Sequence, residues 1–146
     1  MSLDYIKAAI PPREPFLLLD EFVERNGKRI VCRKRFTGEE FWYAGHYPNF
    51  PLTPGVLLCE AAMQAGAVLL SNIAAKEPGT VPVVTRMNNV KFRNMVRPGD
   101  TIELHVELVE QLADAYFLKA EITVDDKTAV TFDFACKLAQ PVMQNN

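Results

Sequence analysis

The chain carries one long run in which apolar residues occupy nearly every position, over residues 54–75. Thr53 suits the N-cap of a helix and Pro54 its first helical position, so the pattern predicts a helix of 22 residues. At about 1.5 Å per residue this helix is about 33 Å long. Because apolar side chains cover nearly every face of it, we expect other parts of the chain to wrap around it.

Most of the remaining chain alternates between apolar and polar positions, which is the period-two pattern of half-buried strands. The clearest alternation covers residues 101–112, 116–124 and 128–138, and the short turns between these segments predict an antiparallel meander. Shorter strand candidates are residues 16–23, 29–36, 81–86 and 88–94.

The first two short strands are separated by Asn26-Gly27, a dipeptide that predicts a tight hairpin turn. The second of them mixes apolar residues with Arg33, Lys34 and Arg35, a composition that suits a sheet edge or a half-exposed face. A short helix is predicted before the hairpin, over residues 3–10, because Pro11 and Pro12 end it.

One long helix without a partner helix must be buried by the sheet itself. The pattern therefore predicts an α+β protein with the hotdog fold, an antiparallel β-sheet wrapped around one long central helix. We expect residues 1–146 to form a single domain, with a frayed polar tail from about residue 140 to residue 146. The open edges of such a sheet would be covered if two copies paired edge to edge.

Composition narrows the class of protein. The chain has 146 residues, of which 49% are hydrophobic and 23% charged, as in an ordinary soluble globular domain. Its formal net charge of −2 gives no overall field that would favour nucleic acid or an anionic membrane. The N-terminus has no signal-peptide pattern, and Cys32, Cys59 and Cys136 have no metal-binding spacing. We therefore expect reduced thiols, no bound metal and a cytoplasmic location.

Candidate chemistry centres on Glu60, the one charged residue within the long helix. Burial should raise the pKa of this carboxyl and keep it protonated, as an acid catalyst requires. His46 precedes it by fourteen residues, in the Pro-rich segment 45–54, which we expect to be stiff and extended. An imidazole is a suitable base near neutral pH, and the free backbone N–H groups of a helix start can bind an oxyanion.

A carboxyl in this position is also compatible with two non-catalytic roles of the helix. A buried Arg or Lys could pair with the carboxylate. The helix is also long enough to cross a membrane, but Glu60, Gln64, Ser71 and Asn72 and the absence of flanking basic clusters disfavour membrane insertion.

Three motifs in order resemble one family. Residues 45–64, GHYPNFPLTPGVLLCEAAMQ, are similar to GHFPxxPxxPGVLxxEAxxQ of the FabZ-type (3R)-3-hydroxyacyl-acyl carrier protein dehydratases. Residues 12–20, PREPFLLLD, resemble that family's PHRxPFLLxD, and residues 90–100 resemble its KFRxxVxPGD. Departures are Pro12 in place of a histidine, Tyr47 in place of phenylalanine, and Cys59 at a usually aliphatic position.

The resemblance implies a role for each matching residue. His46 would be the catalytic base and Glu60 the catalytic acid, contributed by opposite subunits of a hotdog dimer. The backbone N–H of Gly55 would hold the thioester carbonyl, and Val56 would contribute to the apolar lining of the acyl site. Gln64 would lie one helical turn after the acid, on the same face.

The resemblance also implies the substrate and the partners. Members of the family act on acyl chains carried by the phosphopantetheine arm of acyl carrier protein, and they need no metal or redox cofactor. A homodimer that could assemble further into a trimer of dimers is expected. Two basic segments are candidate docking faces for the acidic carrier: residues 33–35, and the basic residues between positions 86 and 97 (Arg86, Lys91, Arg93 and Arg97). Each is also compatible with an ordinary solvated face.

Two other functions compete with dehydration to an enoyl thioester. A hotdog acyl thioesterase would hydrolyse the thioester, but it would have no need of both His46 and Glu60. A non-catalytic acyl-binding hotdog subunit would gain nothing from an unpaired buried carboxyl, which costs stability.

Overall fold

A computed structural model describes residues 2–73 and 79–140 of the chain. Its elements, in chain order, are α1 (Ser2–Ala9), β1 (Glu21–Asn26), β2 (Arg29–Arg35), α2 (Tyr43–His46), α3 (Gly55–Ile73), β3 (Val81–Phe92), β4 (Thr101–Leu112), β5 (Ala115–Val124) and β6 (Lys127–Ala139). The strands form one antiparallel sheet in the order β1-β2-β4-β5-β6-β3. The predicted α+β architecture, a sheet around one long helix, is confirmed.

Helix α3 packs against the sheet along most of its length. A Cβ built on Gly66 would lie 2.8 Å from the Phe134 ring of β6, so only a glycine allows the helix to approach the sheet this closely. By length and composition α3 could cross a membrane, but 56% of its most apolar window is buried inside the fold. The sheet therefore supplies the cover that the all-round apolar pattern requires.

The inner face of the sheet is built by the predicted alternation. Ile102, Leu104 and Val106 of β4 are at most 1% exposed, whereas the residues between them are partly exposed. Strand β5 repeats the pattern with Leu118 and Ile122. The predicted meander of β4, β5 and β6 is confirmed by its antiparallel pairing, which is interrupted by one register shift in each of the two strand pairs.

The first hairpin differs from the prediction in three ways. Strand β1 begins at Glu21 and not at Phe16, because residues 17–19 are all buried and the Leu18 N–H donates to a side chain of α3. Asn26 pairs with Arg29, so the turn residues are Gly27 and Lys28. Strand β2 is not an edge strand, since it pairs with both β1 and β4, but it is half-exposed, which is the other alternative that its composition allowed.

The two edge strands of the sheet are β1, which pairs only with β2, and β3, which pairs only with β6. Two strands were predicted here, over residues 81–86 and 88–94, but the structure has one strand from Val81 to Phe92. Two register shifts, between Val84 and Arg86 and between Asn88 and Lys91, keep it paired across the break. Asn89 takes a positive φ of 56° within the second of them.

The start of α3 also differs from the expected cap. The helix begins at Gly55, and the Pro54 carbonyl accepts hydrogen bonds from the N–H groups of Leu57 and Leu58. The Thr53 hydroxyl shares a 2.6 Å hydrogen bond with the Tyr43 hydroxyl instead of capping the helix. The predicted helix end at residues 74–75 and the tail at residues 141–146 lie outside the described residues.

Candidate active site

The acid end of the candidate site lies on the second turn of α3. Glu60 is half-buried, and its Oε2 accepts a 3.1 Å hydrogen bond from Nε2 of Gln64, four residues later on the same helix face. Burial raises the pKa of the Glu60 carboxyl, and the Gln64 hydrogen bond opposes this shift only in part. Desolvation therefore favours the protonated form, which is the form that can donate a proton.

Gln64 itself is fixed by the segment before β1. Its Oε1 accepts from the Leu18 N–H at 2.8 Å, and its Nε2 donates to the Phe16 carbonyl at 2.9 Å. These two backbone partners fix the orientation of the Gln64 side-chain amide. The Leu18 N–H can donate only to the amide oxygen, and the Phe16 carbonyl can accept only from the amide nitrogen. With 3% of its surface exposed, Gln64 holds the Glu60 carboxyl in one position.

A cavity of about 420 Å³, here called the acid cavity, opens beside Glu60. It runs between α3, the segment after α1 and the start of β3. Its remaining lining residues are uncharged: Ile10, Pro11, Pro12, Phe16, Met63, Gln64, Ala67, Val81, Pro82 and Val84. Among the described residues, no basic side chain lines this cavity. The structure therefore gives no support to the alternative that a buried Arg or Lys pairs with Glu60.

The base end of the site is built differently. His46 is the last residue of the single helical turn α2 and is exposed, with its ring 4.5 Å from that of Tyr47. A stiff extended segment was predicted here, and the helical turn is a correction to it. Tyr43 and Thr53 are both buried, and their hydroxyl–hydroxyl bond ties together the two ends of the segment that carries His46.

The start of α3 forms the third part of the site. A Cβ on Gly55 would lie 2.5 Å from Cε1 of Phe92, so any larger residue at this position requires that exposed ring to shift. Gly55 and Val56 line a second cavity of about 460 Å³, the helix-start cavity, with Leu52, Thr53, Leu58 and residues 92–96. As the first helical residue, Gly55 carries one of the N–H groups that lack an intrahelical acceptor.

Within one chain these parts are only partly assembled. Glu60 and Gln64 are in direct contact, and Gly55 and Val56 share a cavity. His46 lines neither the acid cavity nor the helix-start cavity. In residues 2–73 and 79–140, no group of three or more His, Cys, Asp or Glu side chains could hold a metal ion.

Large exposed apolar side chains concentrate near these separated parts. Val56 is 72% exposed, and Phe92 and Met95 are each 56% exposed. Tyr47 and Phe50, beside His46, are also exposed, as are Val83, Val84 and Met87 on the edge strand. Apolar surface on this scale is typical of an interaction face.

Sequence reasoning selected Glu60 as the candidate acid but did not predict the contacts that hold its side chain. The Tyr43–Thr53 hydrogen bond joins residues 10 positions apart in the chain. The hydrogen bonds of Gln64 to residues 18 and 16 join residues 46 and 48 positions apart. The one available signal was Gln64 itself, a polar residue at i+4 from an isolated carboxylate.

Comparison with known proteins agrees with this geometry. Residues 10–133 match the family model described as a FabA-like domain. The chain is 40% identical over 129 residues to 3-hydroxyacyl-[acyl-carrier-protein] dehydratase FabZ of Clostridium perfringens, covering 88% of this chain and 92% of that protein. Its identity to the Staphylococcus epidermidis FabZ is 39% over 125 residues, covering 85% and 86%.

A solved structure shows the same fold at low identity. The dehydratase heterocomplex ApeI:P from Xenorhabdus doucetiae superposes with a TM-score of 0.73 and 16% identity, covering 97% of this chain and 92% of that one. Fold, motif positions and identity to the FabZ proteins converge, and the chain belongs to the FabA-like family as a FabZ-type hotdog dehydratase.

Proposed function

We propose that this protein is a hydro-lyase that converts a (3R)-3-hydroxyacyl thioester on acyl carrier protein into the trans-2-enoyl thioester. The observation that carries the assignment of its acid is the Glu60 carboxyl, half-buried and hydrogen-bonded to Gln64 in a cavity that no other charged residue of the described chain lines. Membership of the FabZ-type family supports the reaction and the carrier-bound substrate.

The proposed chemistry needs two proton transfers. Neutral His46 removes a proton from C2 of the substrate, and the electron pair moves toward the thioester carbonyl, whose oxygen gains negative charge. The Gly55 N–H and the positive end of the α3 dipole stabilise that charge. Protonated Glu60 gives its proton to the C3 hydroxyl, which leaves as water while the C2–C3 double bond forms. Proton exchange with solvent then restores both side chains.

A homodimer would complete this site. Strand β3 exposes one unpaired edge, and the apolar side chains of Val83, Val84 and Met87 flank it. Pairing of the β3 strands of two protomers would satisfy the unpaired backbone groups of this edge and cover its apolar side chains. Two-fold symmetry would repeat each contact. In such a dimer, His46 of one protomer faces Glu60 of its partner. A further assembly into a trimer of dimers remains an expectation.

Carrier-protein docking has a basic candidate surface. Arg86, Lys91, Arg93 and Arg97 are exposed, and none has a carboxylate partner within 4 Å among the described residues. Arg93 borders the helix-start cavity, and the Arg97 guanidinium lies 4.9 Å from the Phe50 ring centre, near His46. These free cations would attract an acidic carrier to the entrance of the site.

Both proton transfers are assigned to side chains, so the proposed reaction needs no metal or redox cofactor. We also place the enzyme in the cytoplasm, as one hotdog unit.

The test is hydration of a trans-2-enoyl thioester. The reaction is monitored through the loss of the enoyl absorbance, and free thiol is measured in the same sample. Reversible absorbance change without thiol release supports the dehydratase. Thiol release would identify a thioesterase instead. Absence of both changes, with carrier-linked substrate also tried, would indicate an acyl-binding subunit without catalysis.

A further inference from the structure

The motif at residues 12–20 supplies no side chain to the proposed proton transfers, but its main chain holds the acid end of the site. The Phe16 carbonyl accepts from Nε2 of Gln64 at 2.9 Å, and the Leu18 N–H donates to Oε1 of the same residue at 2.8 Å. Gln64 in turn donates to Glu60. The position of the Glu60 carboxyl therefore depends on the contacts that fix residues 13–20, here called the 13–20 segment.

The C-terminal end of the 13–20 segment is fixed by β2. The Asp20 N–H donates to the Arg33 carbonyl at 2.9 Å, and Oδ2 of Asp20 accepts from the Arg35 N–H at 2.8 Å. Residues 17–19, which precede Asp20, are at most 5% exposed. This end of the segment is therefore held by the sheet and by the core.

The N-terminal end of the segment is held by the side chain of Arg13. Its Nη2 donates to the Lys7 carbonyl at 2.7 Å. Its Nη1 lies 2.8 Å from the carbonyl oxygens of Ile10 and Pro12 and 3.2 Å from that of Pro11. The Lys7 carbonyl belongs to the last turn of α1, where a cation also complements the negative end of the helix dipole. One guanidinium group thus joins the end of α1 to the start of the 13–20 segment.

A second contact at this end is an ion pair, in which Lys7 Nζ lies 3.1 Å from Oε1 of Glu14. The Glu14 side chain is 59% exposed, and exposed ion pairs contribute little to stability. The planar guanidinium of Arg13 has several N–H donors in a fixed arrangement, so it can bind several carbonyls at once. We therefore expect Arg13, and not the ion pair, to fix this end.

Arg13 is also connected directly to the residues that hold Gln64. Its own carbonyl accepts from the N–H groups of Phe16 and Leu17, at 2.9 and 3.0 Å. A shift of the Arg13 main chain would therefore displace the Phe16 carbonyl, which is one of the two backbone partners of Gln64. A continuous series of hydrogen bonds joins the end of α1 to Glu60.

We propose that Arg13 is a positioning residue for proton donation by Glu60. Its guanidinium group fixes the 13–20 segment on the end of α1, and the segment holds Gln64 and, through it, the Glu60 carboxyl. Arg13 is exposed and does not line the acid cavity, so it acts through these residues and not on the substrate. This inference rests on the proposed function, because the position of Glu60 affects turnover only if Glu60 is the acid.

The experiment measures kcat and KM for hydration of a trans-2-enoyl thioester, together with urea unfolding, in variants of the full chain. Arg13→Gln removes the guanidinium, and Arg13→Lys keeps a positively charged donor. Arg29→Gln is the matched control, because Arg29 is an exposed arginine of β2 that does not line the acid cavity. Both Arg13 substitutions are also made in the Glu60→Gln chain and in the Gln64→Met chain.

We expect Arg13→Gln to lower kcat about fivefold and to change KM by less than about twofold, because a misplaced acid slows the reaction of bound substrate. Arg13→Lys should lie between the wild type and Arg13→Gln, since an ammonium group replaces only part of the guanidinium contacts. Arg29→Gln should match the wild type. In the Glu60→Gln and Gln64→Met chains, Arg13→Gln should lower kcat by less than about twofold, because the acid or its link to Arg13 is already lost.

A full fivefold loss of kcat in the Glu60→Gln chain would overturn the proposal, since Arg13 would then affect turnover without the acid. A rise in KM alone would also overturn it and would indicate that Arg13 shapes the cavity wall at Pro11 and Pro12. Unfolding at lower urea concentration with wild-type kcat would show that Arg13 only caps α1. If Arg13→Gln folds poorly, Arg13→Lys gives the same comparison between chains. An inactive wild type would instead refute the proposed function, and the role of Arg13 with it.

Discussion

The two ends of the candidate site are supported in opposite ways. The Glu60 end is half-buried and held through Gln64 by backbone groups of residues 16 and 18, all within one chain. The His46 end is exposed and belongs to a helical turn of four residues, in a segment whose two ends are joined by the Tyr43–Thr53 hydrogen bond. A chain that folds alone therefore prepares its acid but not the surroundings of its base.

This difference accounts for the position of the exposed apolar surface. The candidate acid needs burial, because desolvation favours its protonated form, and one chain can supply that burial. The base needs a neighbour to close the site around it, and Tyr47, Phe50 and Val56 leave an apolar surface for that neighbour. We therefore expect different consequences from damage at the two ends.

The largest effects are expected from removing either proton-transfer group. His46→Ala and Glu60→Gln should each lower kcat by about 10²- to 10⁴-fold, because each removes one acid–base step. Both should unfold at denaturant concentrations close to that of the wild type. The matched controls are His105→Ala, at the only other histidine, and Glu24→Gln, at an exposed glutamate. Activity near that of the wild type in either site variant would contradict the acid–base assignment.

A smaller effect is expected from Gln64→Met, which affects the acid end alone. The apolar side chain leaves the Leu18 N–H and the Phe16 carbonyl without their partner, which should cost about 1–3 kcal/mol of unfolding free energy per unsatisfied group. We expect kcat to fall about tenfold through misplacement of Glu60, with KM changed less. Gln111→Met, at an exposed glutamine, is the control for urea unfolding and kinetics. Wild-type stability and kcat in Gln64→Met would rule out a positioning role.

Gly55→Ala examines the third part of the site. Its Cβ would clash with Phe92, but that ring is 56% exposed and can shift, so we expect a loss of about 1 kcal/mol, at the low end for overpacking. The double variant with Phe92→Ala should regain stability. Displacement of the Gly55 N–H should still lower kcat about tenfold, less than the loss of a whole oxyanion donor. Recovery of kcat together with stability would show that the clash, and not the N–H position, limits the reaction.

The smallest effect is a pH dependence of stability. Burial raises the pKa of the Glu60 carboxyl above its ordinary value of 4.5. At pH values above 4.5 this carboxyl therefore binds more protons in the folded chain than in the unfolded chain. The Glu60 contribution to unfolding free energy is therefore fully present below pH 4.5 and lost as pH rises through the folded pKa. Relative to the wild type, Glu60→Gln should gain stability as pH increases from about 4 to about 8, whereas Glu24→Gln should not. A constant difference between Glu60→Gln and the wild type across that range would contradict the raised pKa.

Local pattern was sufficient for much of the fold. The apolar run predicted α3, alternation predicted β4 to β6, and the isolation of Glu60 in the run marked the acid. Features that depend on distant partners were not predictable in this way. Asn26 stays paired and moves the turn to Gly27 and Lys28, and β3 stays paired through two register shifts. The hydroxyl of Thr53 has a better partner in Tyr43 than in the helix start.

The relation between His46 and Glu60 is the least accessible feature to sequence reasoning, because we place it between two chains. Within one chain, Glu60 lines the acid cavity and His46 does not. This arrangement is expected if each site takes His46 from one protomer and Glu60 from the other. Neither spacing nor periodicity contains that information.

The most direct measurement is therefore complementation between inactive variants. His46→Ala and Glu60→Gln chains, carrying different tags, are produced together, and mixed dimers are isolated through both tags in turn. Each mixed dimer would contain one site with an intact His46 from one chain and an intact Glu60 from the other. We predict recovery to about half of wild-type activity per dimer, as two-fold symmetry with one intact site requires. Mixed dimers as inactive as either parent would show that both residues act within the same chain.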